Sequence, residues 1–216
     1  MRVVLLGAPG SGKGTQGVRL AARLAVPHVS TGDMLRHARA TGTDLGHEAV
    51  RYMDRGELVP DDLMVGLAGE RLSRADCDAG FVLDGFPRTV FQAEQLDKLL
   101  ERAGVSLSCV VALEVGRDEI LARLAGRRTC SACNRPWPRA AAQAAAGRCT
   151  CGGTLAQRPD DREEAVLRRL DVYVEQTGEL IDWYSRRSLL RAVDGTGDLG
   201  QVSSRIAEAV GVGGAP

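Results

Sequence analysis

The chain has 216 residues, enough for a sizeable core, and its 28 basic and 28 acidic residues cancel. That balance excludes bulk electrostatic attraction to nucleic acid or anionic lipid, and no apolar run approaches the roughly 18 residues of a membrane span. Aromatic residues are 4% of the chain, so a core of Leu, Val, Ala and Ile is expected. With no leader-type apolar segment at the start, the expectation is a cytoplasmic monomer without nucleic-acid or membrane partners.

The first predicted elements are a strand and a helix joined by a glycine-rich loop. Val3-Val4-Leu5-Leu6 is the short aliphatic run of a buried parallel strand, and Val18, Leu20, Ala21 and Leu24 recur at helical spacing after Lys13. Between them, Gly7-Ala8-Pro9-Gly10-Ser11-Gly12-Lys13-Gly14-Thr15 is built to cradle phosphate: glycines turn backbone N–H groups inward, a helix N-terminus follows, and Lys13 adds a mobile ammonium. Gly10, Ser11, Gly12, Lys13, Gly14 and Thr15 are therefore the candidate phosphate ligands. Only Lys13 and Lys98 among the 28 basic residues are lysine, and a compact point charge is what a tight loop requires. A plain Gly-rich turn would leave that Lys and the strand–loop–helix context unexplained. The hydroxyl stands one residue later than in the general P-loop, at Thr15, and this Gly-x-Pro-Gly-x-Gly-Lys-Gly-Thr form resembles nucleoside monophosphate kinases.

Val26-Pro27-His28-Val29 is extended, and Ser30 or Thr31 can cap a following helix that turns Met34, Leu35 and Ala38 to one side. The string Ser-Thr-Gly-Asp-Met-Leu-Arg at 30–36 is similar to the adenylate kinase family. The resemblance continues through Thr43-Asp44-Leu45-Gly46 and Met53-Asp54-Arg55-Gly56-Glu57-Leu58-Val59-Pro60 and spans essentially the whole chain. It implies an α/β P-loop three-layer fold: a central five-stranded parallel sheet flanked by helices, with two insertions. Residues 1–29, 60–125 and 164–216 would form the core, 30–59 a small helical AMP-binding domain and 126–163 a zinc-stapled lid. The implied reaction is Mg-ATP + AMP ⇌ 2 ADP, in adenine nucleotide homeostasis and salvage.

Residues 61–74 read as a helix started by Asp61 or Asp62. Gly80-Phe81-Val82-Leu83-Asp84-Gly85-Phe86-Pro87-Arg88-Thr89 follows, a buried strand that ends at a carboxylate where α/β sheets put ligand groups. Asp84 is suited to hold Mg²⁺ through water and Arg88 to grip phosphate. Thr89 to Arg102 forms an amphipathic helix with Val90, Phe91, Ala93, Leu96, Leu99 and Leu100 as its apolar positions, and Gln92 near its start is either an exposed helix residue or, by resemblance, the reader of the AMP adenine. The resemblance also assigns Thr31, Arg36, Glu57, Leu58, Val59 and Gly85 to AMP, and Asp33 to the magnesium shell. Ser108 to Val115 is a third strand and Asp118 to Arg128 a helix, with Cys109 a small core residue and Cys77 without a visible partner.

Arg123, Arg127 and Arg128 could be a solvated helix end; in adenylate kinases the matching arginines stack on ATP's adenine (Arg123) and grip its phosphates (Arg127). Periodicity collapses over 126–163, where Cys130-Ser131-Ala132-Cys133 and Cys149-Thr150-Cys151 bracket Pro136, Pro138 and an Ala-rich run. Two close thiolate pairs can give Zn²⁺ a tetrahedral S₄ site that staples a segment too small for a core; disulfides and free thiols are the alternatives. The second knuckle is one residue short; by resemblance to zinc-bearing adenylate kinases, whose fourth ligand stands just before a Gly-Gly, Cys151 before Gly152-Gly153 is assigned as fourth ligand.

Asp161 and Glu164 resemble a capping box opening a helix with Val166, Leu167, Leu170, Val174, Leu180, Ile181 and Tyr184 along one side, and Gly178 marks an irregularity. By resemblance Arg158 and Arg169 close on the phosphates; otherwise they pair with neighbouring acids. Leu189 to Val193 is a last strand, Asp194-Gly195-Thr196-Gly197 the loop that puts Gly197 near ATP's base in relatives, and an amphipathic helix closes the chain before a frayed 211–216. The expected catalytic set is Lys13, Asp84, Arg88, Arg127, Arg158 and Arg169, with Arg36 completing the cationic ring. Thr31 and the long cysteine-bearing insertion argue against a UMP or CMP kinase. A zinc-ribbon nucleic-acid binder would need a basic stripe and stacking aromatics, and a regulatory switch would leave the 30–36 and 84–88 motifs idle.

Overall fold

The computed structural model describes residues 1–138 and 140–212. In chain order its elements begin with β1 (Arg2–Gly7), α1 (Lys13–Leu24), β2 (His28–Ser30), α2 (Thr31–Thr41), α3 (Asp44–Met53) and α4 (Asp61–Leu72). They continue with β3 (Phe81–Asp84), α5 (Val90–Arg102), β4 (Cys109–Glu114) and α6 (Arg117–Gly126), then β5 (Arg128–Cys130), β6 (Pro136–Trp137), α7 (Ala142–Ala146) and β7 (Leu155–Ala156). The chain closes through α8 (Glu163–Val172), α9 (Gly178–Arg186), β8 (Leu190–Asp194) and α10 (Leu199–Ala209).

The main sheet is five-stranded, in the order β2-β3-β1-β4-β8, and every pairing in it is parallel. Because strand side chains alternate, Val4, Leu6, Leu83, Val110 and Ala112 pack into one apolar layer, and Val3, Leu5, Val82, Val111 and Leu113 into another. The expected aliphatic core needs one amendment: Phe81, Phe86 and Tyr184 are among its largest fully buried side chains, all in the first layer. A second sheet, β6-β5-β7, is antiparallel and carries a cluster of only Cys130, Cys149 and Leu155, with Trp137 against it.

Helix starts follow capping chemistry, with corrections. Ser30, Thr43 and Thr89 each accept a backbone N–H at the head of α2, α3 and α5, and Asp198 forms a full capping box with Gln201. At α4, however, Pro60 takes the capping position, and Asp61 and Asp62 lie in the first turn, where the helix dipole favours acids. The expected capping box at Asp161 is absent. Arg162 precedes α8, while Asp161 lies in a 3₁₀ turn, Pro159–Asp161, with its carboxylate drawn to two arginines. Attraction to two guanidinium groups outweighs one N–H bond at a helix end.

The irregularity expected at Gly178 falls just before it, as a π-helical turn over Tyr173–Thr177. The extra residue rotates the apolar face, so Val174, expected inside, is 69% exposed, and Thr177 turns inward at 5%. Val18 and Phe91 likewise lie on the outer sides of α1 and α5, at 57% and 44%. Of the frayed tail expected over 211–216, residues 213–216 lie outside the described residues.

Candidate active site

The site lies at the C-terminal ends of β1 and β3, where adjacent parallel strands register Leu5 with Asp84. The loop from β1 to α1 wraps around Lys13, whose Nζ donates to the carbonyls of Gly7 at 2.6 Å and Ala8 at 3.0 Å. Gly10 is required there: its φ is +85°, and a Cβ would lie 2.8 Å from Leu124 Cγ. Burial pushes the Lys13 ammonium down to about 8; Asp84 pulls it back up, and Arg88, Arg169 and Arg127 push it further down. Asp84 is 8% exposed, with Oδ2 directed at Gly14 and 4.0 Å from His28 Nε2. Asp33 is ion-paired with Arg36 at 2.6 Å; partial desolvation by the surrounding protein would raise its pKa, but Arg36's charge and hydrogen bond hold it below the usual range.

An open cleft of about 570 Å³ is lined by Thr31, Arg36, Glu57, Leu58, Val59, Arg88, Gln92 and Arg169. These come from α2, the turn before α4, the head of α5, and α8, so segments distant in the chain meet on one surface. Gly85 and Lys13 line an adjoining cleft of about 520 Å³, which shares Leu58, Arg88 and Arg169 with the first. Gln92 is only 1% exposed, which removes the exposed-helix reading. Arg158 borders neither cleft; its Nε donates to Thr129 Oγ1 at 2.8 Å.

Two adjacent acids organise the arginines. Arg127 forks onto Asp161, with Nε donating to Oδ2 at 2.7 Å, and Arg169 Nη1 lies 3.0 Å from Asp160 Oδ2 and 3.4 Å from Asp161 Oδ1. Burial, with mutual repulsion, lowers Arg88 and Arg158 to about 10 and lowers Arg169 as well. Burial would raise Asp160, but Arg169, Arg158 and Arg127 hold it down. Lys13, Arg36, Arg88, Arg127, Arg158 and Arg169 thus outnumber Asp33, Asp84, Asp160 and Asp161, an arrangement complementary to polyphosphate. Pairing with neighbouring acids was the alternative offered for Arg158 and Arg169, and Asp160 and Asp161 are those acids for Arg169; sequence reasoning did not name them and missed Thr177, whose Oγ1 donates to the Arg88 carbonyl at 3.0 Å. The signal for the acids was present: two adjacent carboxylates two and three residues after Arg158.

Arg123 bridges the P-loop and the loop after β8, donating to the carbonyls of Ser11 at 3.4 Å and Gly195 at 3.1 Å. Gly197 lies two residues beyond, with φ +100°. In the small sheet the Sγ atoms of Cys130, Cys133, Cys149 and Cys151 all lie within 4.8 Å of one another, with Cys130–Cys151 at 3.5 Å and Cys133–Cys149 at 3.6 Å. A tetrahedron with Zn–S bonds of 2.3 Å has S···S edges of about 3.8 Å, so the four thiols fit zinc. The backbone N–H of Cys151 and the indole N–H of Trp137 at 3.4 Å draw the Cys149 thiol down to about 6, while the Cys151 thiol, despite the Gly153 N–H, is pushed up to about 12 by its three sulfur neighbours, as expected of four thiols crowded around one point. Cys77 and Cys109 are buried away from the clefts, and burial raises both thiols.

A parallel three-layer sheet with a lysine-centred phosphate loop, a strand-end carboxylate and an arginine-lined second cleft defines the class of P-loop phosphotransferases that act on two nucleotides. Comparison with known proteins narrows the class. The family model for adenylate kinase matches residues 5–189. The chain is 50% identical over 208 residues to the adenylate kinase of Thermodesulfovibrio yellowstonii, covering 95% of this chain and 97% of that one. It is 49% identical over 215 residues to that of Syntrophotalea carbinolica (99% and 100% covered), and 50% identical over 213 residues to that of Moorella thermoacetica (98% of each). The chain belongs to the adenylate kinase family, phosphotransferases whose substrates are ATP, AMP and ADP.

Proposed function

We propose that this chain runs Mg-ATP + AMP ⇌ 2 ADP with ATP's phosphates on Gly10, Ser11, Gly12, Lys13, Gly14 and Thr15, its base near Arg123 and Gly197, and AMP in the 570 Å³ cleft. The observation that carries the assignment is the convergence of Arg88 and Arg169 on both clefts, between the two phosphate sites. Phosphoryl transfer demands little covalent chemistry of the protein. It needs two nucleotides in line, water excluded, and charge on the transferring oxygens neutralised. Lys13, Arg88 and Arg169 supply positive charge from the floor; Arg36 grips the AMP phosphate, and Arg127 and Arg158 add theirs from the 126–163 side. The AMP phosphate is itself the nucleophile and is already ionised near neutral pH, so no base is required. Thr31, Glu57, Leu58, Val59, Gly85 and Gln92 hold the nucleoside.

Asp84 and Asp33 are the carboxylates that would hold Mg²⁺ through water, and the ion would supply further neutralisation of phosphate charge. Cys130, Cys133, Cys149 and Cys151 would hold Zn²⁺, which would staple the small sheet. In this reading 1–29, 60–125 and 164–216 are the core, while 30–59 and 126–163 are covers that close over AMP and ATP. The protein acts as a cytoplasmic monomer without nucleic-acid or membrane partners. Among the described residues no helix is long and apolar enough to cross a membrane.

The test is ADP production from Mg-ATP with AMP, CMP, UMP and GMP supplied in turn. Product with AMP alone is expected. Product mainly with CMP or UMP overturns the acceptor assignment, and no transfer to any acceptor overturns the phosphotransferase reading.

A further inference from the structure

A buried carboxamide can sit in either of two orientations related by a flip, exchanging an acceptor for two donors. Gln92 is held to one of them. The backbone N–H of Arg88 donates to Gln92 Oε1 at 2.7 Å, and Gln92 Nε2 donates to Asp61 Oδ1 at 2.7 Å. An N–H can only donate and an ionised carboxylate can only accept, so both neighbours select the same orientation. In the opposite one, two donors would face each other and the amide oxygen would face the carboxylate. Asp61 is itself secured: Thr89 Oγ1 donates to its other oxygen at 3.0 Å, and it sits in the first turn of α4.

After these two bonds the Gln92 amide retains one N–H and one oxygen lone pair, and the residue lines the 570 Å³ cleft. A donor–acceptor pair of set polarity distinguishes bases of one shape. Adenine offers an N6 amino donor beside the N1 acceptor; hypoxanthine offers an O6 acceptor beside an N1–H donor. The reversed edge could be met only by the flipped amide.

We propose that Asp61 is a specificity-positioning residue that, through the Gln92 amide, sets the second cleft to accept a 6-aminopurine and reject a 6-oxopurine nucleoside monophosphate. The inference rests on Gln92 facing the acceptor base. Asp61 touches neither nucleotide and acts only through the orientation of its neighbour. Asn in its place offers either an oxygen or an NH₂ to Gln92, so that side no longer chooses. The Arg88 N–H still does, which makes the expected relaxation partial.

The experiment measures kcat/KM at saturating Mg-ATP for AMP and for IMP in the unmodified protein, Asp61→Asn and Gln92→Ala. The expected result is a fall of about tenfold in the AMP-to-IMP preference of Asp61→Asn, and a larger fall in Gln92→Ala. If Gln92→Ala loses the preference but Asp61→Asn keeps it, the orientation lock is overturned and Gln92 remains the base reader. If Gln92→Ala keeps the preference, the reading of Gln92 is overturned, and the lock with it. Should Asp61→Asn not fold, judged by circular dichroism, Asp61→Ser carries the same comparison, since its short hydroxyl holds neither orientation.

Discussion

The two sheets of this protein are held by different physics. The parallel sheet has apolar layers on both faces, with Val3, Val4, Val82, Leu83, Val110 and Val111 at 0% exposure. The antiparallel sheet has three short strands and a cluster of two cysteines and one leucine, far below what an independent hydrophobic core requires. One region folds because its side chains leave water; the other brings four sulfurs together in a cluster whose spacing fits a metal. In the proposed reading the first is the floor that holds the phosphates and the second a cover whose stability would be set separately.

Five substitutions and one titration break or sharpen that contrast. The largest effect is expected at the chemistry, without a change in either sheet: Arg88→Ala is expected to lower kcat on the order of 10³-fold by analogy with other transition-state arginines, with an unchanged melting midpoint. Near-normal turnover would remove Arg88 from the mechanism. In the floor, Leu83→Ala is expected to cost about 2–5 kcal/mol in urea unfolding, because Leu83 is fully buried and its neighbours cannot collapse around the void. In the cover, Cys133→Ser is expected to abolish stoichiometric zinc and expose the amides of 128–156 to hydrogen exchange while the β1, β3 and β4 amides stay protected. Loss of protection in both sheets together would make the two regions one cooperative unit.

The Lys13 ammonium tests the floor by pH. With a folded pKa of about 8 against 10.5 for the free side chain, the unfolded chain binds more protons between those values, so this group's contribution to stability rises with pH across that window. Phosphate bound at Lys13 draws the pKa back up. Mg-ATP binding at pH 8 is therefore expected to take up a fraction of a proton, measurable by calorimetry in buffers of different ionisation enthalpy, and Lys13→Met to abolish it. The smallest effect is expected at Ser30→Ala, where loss of the α2 cap costs about 1 kcal/mol or less.

Much of the molecule was legible in local pattern. Aliphatic runs located β1, β3 and β4, the glycines and Lys13 located the phosphate loop, and the cysteine pairs located the zinc-type cluster. Such signals are readable because burial imposes a period on neighbouring residues, and a tight loop or a metal imposes a spacing. Asp161 was misread: local pattern treats an acid before an apolar run as a helix start, which holds at Asp61 but fails at Asp161, where two arginines claim the carboxylate.

By itself the sequence located the strands of the parallel sheet and most of the helices around it, and it showed which family the chain resembles and where that resemblance expects phosphate to bind. Only the tertiary structure decided that Arg127 pairs with Asp161, 34 residues away, and that Asp61 holds Gln92 across 31 residues. It alone decided that a π-turn rotates Thr177 inward onto the Arg88 carbonyl. Partners so far apart leave no periodic trace. They are chosen by which charges and amides the packed sheet brings within about 3 Å, where a buried polar group must find a partner or lose its hydration uncompensated.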